Sequence, residues 1–133
     1  MIGHPAPGPE VLDRLAQERI VWLCTVRPDG SPHVTPVWFL FRDDEWCIWT
    51  QERNRKVRNI VADPRVSLAL PDGKFPVVAE GAAVVVREPF PGWAADEFRR
   101  KYDWDVTAPA GPAGDNVLIR VAVTRWLMAG TAS

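Results

Sequence analysis

The sequence predicts a mainly β chain of the α+β class, in which an antiparallel meander curls into a small barrel flanked by short helices. Three observations predict it. Strand-length apolar runs alternate with turns built from Pro, Asp and Gly. Helical periodicity occurs in only three short stretches. The runs VWLCTV, VWFLF, WCIW and VVAEGAAVVV are apolar at nearly every position rather than at every second one. A sheet with one wet face alternates, so these strands are expected to be covered on both sides. One face can fill a barrel. With so little helix for the other, a second copy of the chain is expected to pack there, giving a homodimer.

Each element has its own signal. Residues 1–8 are rich in Pro and Gly and are expected to form a flexible tail, leaving residues 9–133 as a single domain. Val11, Leu12, Leu15 and Ala16 recur at helical spacing over residues 9–18, with Pro9 tolerated in the first turn. IVWLCTV, residues 20–26, reads as a strand, RPDGSP as a turn, and HVTPVWFLF, residues 33–41, as the returning strand. RDDE turns the chain again into WCIWT, residues 46–50. The period then changes: Val57, Ile60 and Val61 share one helical face, Asn54 is a natural N-cap, and Asp63-Pro64 stops the helix. RVSLALP and PVVAEGAAVVVRE follow as strands, the second with a bulge expected at Gly81. GWAADEFRRKYD is a further amphipathic helix, VTAPAGPAGD a loop expected to be mobile, and NVLIRVAVTRWLMAG the last strand or pair of strands.

Composition excludes several functions. The 133 residues carry 16 basic and 17 acidic side chains, a net charge of −1, so the chain as a whole is no polyanion binder. No apolar run reaches the ~18 residues of a membrane helix. MIGHPAPGPE lacks the charged and apolar segments of a signal peptide, so a cytoplasmic protein is expected. The two cysteines, Cys24 and Cys47, sit in apolar runs and read as free, buried thiols. Two Cys and two His without close pairing give no zinc site. His4 lies in the tail, His33 starts a strand as a polar edge residue, and Ser31 has no partner for nucleophilic catalysis.

Against this neutral background, Arg53, Arg55, Lys56 and Arg58 place four of the 16 basic residues within six positions. Arg55 and Lys56 fall in the first turn of the predicted helix. Its N–H groups are unpaired and its dipole is positive there. Like charges are disfavoured at that place unless an anion lies between them, and a phosphate suits both charge and geometry.

GSPHVTPVWF, then WCIWT, then NRKVRNIVADPRVSL resembles, in order and spacing, the pyridoxamine 5'-phosphate oxidase-like or flavin reductase-like family of split β-barrels, over residues 20–86. The resemblance implies a six-stranded antiparallel split barrel. It also implies a homodimer with the cofactor, FMN or the deazaflavin coenzyme F-420, at the subunit interface. By position, Arg55 and Lys56 would hold the cofactor phosphate after Trp49 and Thr50. Val34, Thr35, Pro36, Val37, Trp38 and Phe39 would line the ring, their backbone amides facing its edge. Asn59 and Arg58 lie one turn further on. Phe75 and Pro76 would be lent by the partner chain. No catalytic acid, base or nucleophile is implied, since such a ring carries the chemistry and the protein positions it.

The C-terminus, TRWLMAGTAS, lacks the Arg- and His-containing segment with which pyridoxamine-phosphate oxidases bind substrate phosphate. Pyridoxamine phosphate is therefore not the expected substrate. The short length resembles the smaller branch of the family, in which many actinobacterial members use the deazaflavin, and the Arg-, Ala- and Pro-rich composition with few Lys points to a GC-rich genome, which fits an actinobacterium. The expectation is an oxidoreductase using F-420 to pass hydride to a small conjugated or heteroaromatic acceptor, with FMN as the alternative cofactor. Arg53 and Arg58 are available for the acidic tail of F-420. The alternative of another class is a non-catalytic binder of a flavin, haem or tetrapyrrole. No nucleic-acid or membrane partner is expected.

Overall fold

A computed structural model of the chain describes residues 6–108 and 111–131. His4, most of the expected tail and the centre of the 106–115 loop lie outside the described residues. The elements run α1 (Pro9–Gln17), β1 (Val21–Val26), β2 (Pro32–Val37), β3 (Phe39–Arg42), β4 (Glu45–Gln51), α2 (Arg55–Ala62), β5 (Arg65–Ala69), β6 (Val77–Val86), α3 (Gly92–Tyr102) and β7 (Asn116–Ala129).

All pairings are antiparallel, in one sheet of order β2-β1-β5-β6-β7-β4-β3. The two edge strands, β2 and β3, are consecutive in the chain and separated only by Trp38. The strand expected over residues 33–41 is thus divided: its first part pairs with β1 and its second with β4. This division makes seven strands of the expected six, and it closes the sheet into a split barrel. The C-terminal run is a single 14-residue strand. Gly81 sits at a register shift between β6 and β7, and a Cβ there would strike the Ala122 carbonyl oxygen. The bulge expected at this glycine is therefore required by close backbone approach.

The barrel interior is one apolar cluster that includes Leu23, Val37, Phe39, Trp46, Ile48, Leu68, Ile119 and Trp126. α1 adds Val11 and Leu15 to it, and α2 adds Val57 and Ile60. A second cluster lies outside the sheet. There α3 lays Ala94, Phe98 and Tyr102 over Leu40, Cys47 and Leu118, with Val106 beneath the following loop. Burying each of the larger side chains contributes about 1.5–3 kcal/mol. The two-sided strands are thus explained for β3, β4 and β7. On the other half of the sheet the outer face is bare in a single chain, with Trp22 42% and Val34 54% exposed. Both cysteines are free. Cys47 is buried, as expected, and burial pushes its thiol up to about 12, whereas Cys24 is only half-buried on that outer face. No helix among the described residues is long and apolar enough to cross a membrane.

Candidate functional site

The division at Trp38 creates a gap. β3 pairs with β4 only as far as Phe39 opposite Ile48, so Trp49, Thr50 and Gln51 have no neighbour on that side. β2, which would have continued the ladder, has turned away to β1. Its outer edge is open. Pro32 and Pro36 sit opposite Val26 and Trp22, and a proline nitrogen cannot serve the ladder, so these positions turn their backbone nitrogens away from β1. Val34 shares their register. By the alternation of an antiparallel pair, its N–H and C=O also face the open edge. A planar ligand with hydrogen-bonding edges could add to it.

α2 begins directly after β4, beside this gap. Asn54 is its N-cap, but the side chain makes no capping bond; instead its Nδ2 donates to the buried Thr50 hydroxyl at 2.8 Å. The first-turn amides are therefore left without a side-chain cap, and no acid occupies that turn. Glu52, the nearest acid in sequence, is held by Arg87 at 2.7 Å. Among the described residues no carboxylate pairs with Arg53, Arg55, Lys56 or Arg58. Lys56 is half-buried and burial lowers its pKa, the mark of an ammonium carried without a counter-ion. Arg55 and Arg58 are exposed. Arg53 instead steadies the 111–115 segment, its Nη1 donating to the Pro112 carbonyl at 3.2 Å and its amide to that of Ala113 at 2.8 Å.

The same end of the barrel carries polar atoms that lack partners. Asn59 is buried; its Nδ2 donates to Thr25 Oγ1 at 3.0 Å while its Oδ1 has none. His33 Nδ1, Thr35 Oγ1 and Trp49 Nε1 are likewise buried and unpartnered. Burial, then the charges of Arg27, Lys56 and Arg55, hold His33 below its usual pKa, so a neutral imidazole faces the cations. Buried polar atoms are rarely left unpaired. Of these, His33 lies beside Lys56 and Arg55 and Asn59 belongs to the same helix as they do, so an anionic ligand held by the two cations would find polar partners next to it.

Not every expected residue faces the gap. Val37 and Phe39 turn their side chains into the barrel core. The Phe39 amide is not free for a ring edge, because it donates to the Tyr102 hydroxyl at 2.9 Å, and its carbonyl accepts from Tyr102 and Lys101. An edge strand buried by α3 needs such partners. Trp38 stacks on Tyr102, with centroids 4.7 Å apart, and stands 6.0 Å from Trp49. Phe75 and Pro76 lie by α1, tied through their carbonyls to Arg14 and to the Gly130 amide. Within one chain they are not brought to Arg55 and Lys56. Sequence reasoning assigned no site role to Tyr102 or Trp104. Both belong to a helical run and its exit, where aromatics read as ordinary core. A wide groove of about 750 Å³ lies elsewhere, between α1, β3 and α3, lined by Leu15, Phe41, Arg42, Trp93 and Lys101.

A model of the family described as pyridoxamine 5'-phosphate oxidase matches residues 8–129. The chain belongs to this family. Its split-barrel fold recurs in an F-420 reductase that is 26% identical, with a TM-score of 0.72 over 92% of this chain and 98% of that one. It recurs also in a conserved hypothetical protein of Mycobacterium tuberculosis, 28% identical, with a TM-score of 0.70 over 95% of this chain and 86% of that one. The haem storage protein HutZ of Vibrio cholerae shares the fold alone, at 18% identity and a TM-score of 0.73 over 96% of this chain and 98% of that one. No curated protein matches the chain. Membership places this member of the pyridoxamine 5'-phosphate oxidase family among flavin-related oxidoreductases.

Proposed function

We propose that this protein is an oxidoreductase that binds coenzyme F-420 in the gap between β2 and β4 and passes hydride to a small conjugated acceptor. The observation that carries the reading is the unneutralised Arg55–Lys56 pair on the uncapped N-terminus of α2, at the foot of that gap. Likeness to an F-420 reductase along nearly the whole of both chains supports the deazaflavin over FMN. When bound, the cofactor supplies hydride transfer. The chain's own residues position and shield it. Lys56 and Arg55 hold the phosphate with the first-turn amides. The Val34 backbone receives the ring's polar edge, Thr35 supplies a hydroxyl, and Trp49 walls the outer side. Asn59 presents its free oxygen from below, and exposed Arg58 faces the acidic tail.

The gap is open on its outer side in one chain. A second copy packed on the bare face around Trp22 and Val34 would close it, with the partner subunit's Phe75 and Pro76 completing the pocket. Purified, cofactor-stripped protein titrated with F-420 and with FMN tests the reading through tryptophan quenching. Tighter binding of F-420 is expected. Preference for FMN would transfer the same site to flavin chemistry, and binding of neither would leave Arg55 and Lys56 as an ordinary helix surface. Cofactor that binds but changes redox state with none of the acceptors supplied would identify a carrier rather than an enzyme. Lys56→Ala removes one charge-assisted contact and is expected to weaken cofactor binding by roughly 1.5–3 kcal/mol, about ten- to a hundredfold. Unchanged affinity removes Lys56 from the site.

A further inference from the structure

The groove between α1, β3 and α3 holds about 750 Å³ and shares no lining residue with the β2–β4 gap. That is the size of a small-molecule pocket. Its walls are of two kinds. Leu15 and Ala16 from α1, Leu40 and Phe41 from β3, and Trp93 from α3 are apolar. Arg42, Arg100 and Lys101 are cationic, against a single lining acid, Glu97.

The three cations are neutralised to different degrees. Arg100 is paired with Glu97, three residues before it on α3. Arg42 lies 3.6 Å from Asp43, but that carboxylate is 90% exposed, and such a pair holds little. Its guanidinium rests 4.7 Å over the Trp93 ring instead. Lys101 has no carboxylate partner among the described residues. Its Nζ donates to the Leu15 carbonyl on α1 and the Phe39 carbonyl on β3, and lies over the Phe39 ring. An ammonium has three donors, so one N–H is left over. Lys101 thus stands where α1, β3 and α3 meet, half-buried, its charge met only by carbonyl dipoles and a ring face. A charge withdrawn from water is unfavourable until an opposite charge pairs with it. An anion with an apolar body would satisfy both the lysine and the walls.

We propose that this groove is a second small-molecule site, which takes a hydrophobic monocarboxylate. The apolar body lies along Leu15, Leu40 and Trp93, and the carboxylate accepts from Lys101 Nζ with Arg42 beside it. A second acid group would meet Glu97 or the apolar walls, so one carboxylate suits the groove best. The site does not depend on which cofactor occupies the gap.

2-Naphthoate and 2-naphthamide, its uncharged counterpart of nearly the same shape, are the probes, measured by calorimetric titration of the full chain. Naphthoate is expected to bind about tenfold or more tightly than naphthamide. Lys101→Met is expected to remove that preference while leaving naphthamide within about twofold of wild type. Ala16→Trp, which fills the groove from the exposed face of α1, is expected to weaken both probes. Lys56→Ala should leave naphthoate affinity unchanged, because Lys56 belongs to the other site. Absent naphthoate binding, or equal affinity for the two probes in the wild type, overturns the proposal. So does naphthoate affinity unchanged in Lys101→Met, which would reduce Lys101 to a cap on the last turn of α1. A loss confined to Lys56→Ala would assign the anion to the cofactor gap and likewise overturn it. Should Lys101→Met fail to fold, Ala16→Trp carries the test, and undiminished naphthoate binding there is the refuting result.

Discussion

Lys101 is a half-buried amine whose environment has a measurable consequence. Its Nζ donates to the carbonyls of Leu15 and Phe39, at 3.2 and 3.0 Å, and sits 3.8 Å over the Phe39 ring. Burial, aided by Arg19, lowers its pKa to about 8. An unfolded lysine titrates near ~10.4, so from about pH 8 to ~10.4 the unfolded chain binds more protons than the folded one. The charged form is disfavoured in the fold, and that burden is present below pH 8 and lifted as pH rises through the window. Tyr102 and Cys47, both pushed up to about 12 by burial, act in the opposite sense as the unfolded groups ionise. The effect of Lys101 is therefore isolated by comparing wild type with Lys101→Met. The wild-type melting temperature should gain on the variant between pH 7.5 and 10. A difference that stays flat with pH would mean that Lys101 keeps an ordinary pKa. At this scale the cations of residues 53–58 were legible in the sequence, because four basic residues in six positions stand out in a chain of net charge −1. The unpartnered atoms of His33, Thr35 and Asn59 were not, because a missing partner is a property of three-dimensional neighbours.

The elements followed their local signals closely. Period-3.6 patterning placed α2, although Val61 is exposed and buried Asn59 joins Val57 and Ile60 on the inner face; Asp63-Pro64 ended the helix, and Gly81 marked the β6 bulge. Gly81→Ala should confirm that the glycine answers to packing. The added methyl would meet the Ala122 carbonyl oxygen and Val121 Cγ1, the latter at 2.7 Å. Overpacking of this kind costs about 1–3 kcal/mol, read as a lower urea midpoint. A variant as stable as wild type would mean that β6 and β7 separate freely there. Two element-level features lay beyond sequence. Asn54 occupies the N-cap position but spends its amide on Thr50, a choice decided by where β4 ends. The single-looking strand over residues 33–41 breaks at Trp38 because its halves have different partners, and no residue type in VWFLF announces that.

For the whole molecule, the bare half of the sheet bears on assembly. Pro36, Trp22, Ala69, Val78 and Met128 lie in register across five strands, forming an apolar row on the outer face. Exposed apolar patches of this kind mark contact sites. Wild-type protein is expected to be a dimer by light scattering, and Trp22→Glu, which places a charge in that row, is expected to shift it to monomer. A wild-type monomer at micromolar concentration would refute both the interface and the completed pocket. A Trp22→Glu dimer would place the interface elsewhere.

The sequence by itself determined the strand and helix inventory, the antiparallel barrel, the resemblance to the family, and the basic turn that opens α2. These are local: periodicity, turn chemistry and clustered charge act over a few residues. Only the tertiary structure decided that β2 and β3 close the barrel from opposite edges, that Phe39 is withdrawn into the core, that Phe75 and Pro76 lie far from Arg55 within one chain, and that Trp104 joins Trp38 and Trp49. Those outcomes depend on which distant segments meet, and residues some 55 positions apart carry no mark of one another until the chain has closed on itself.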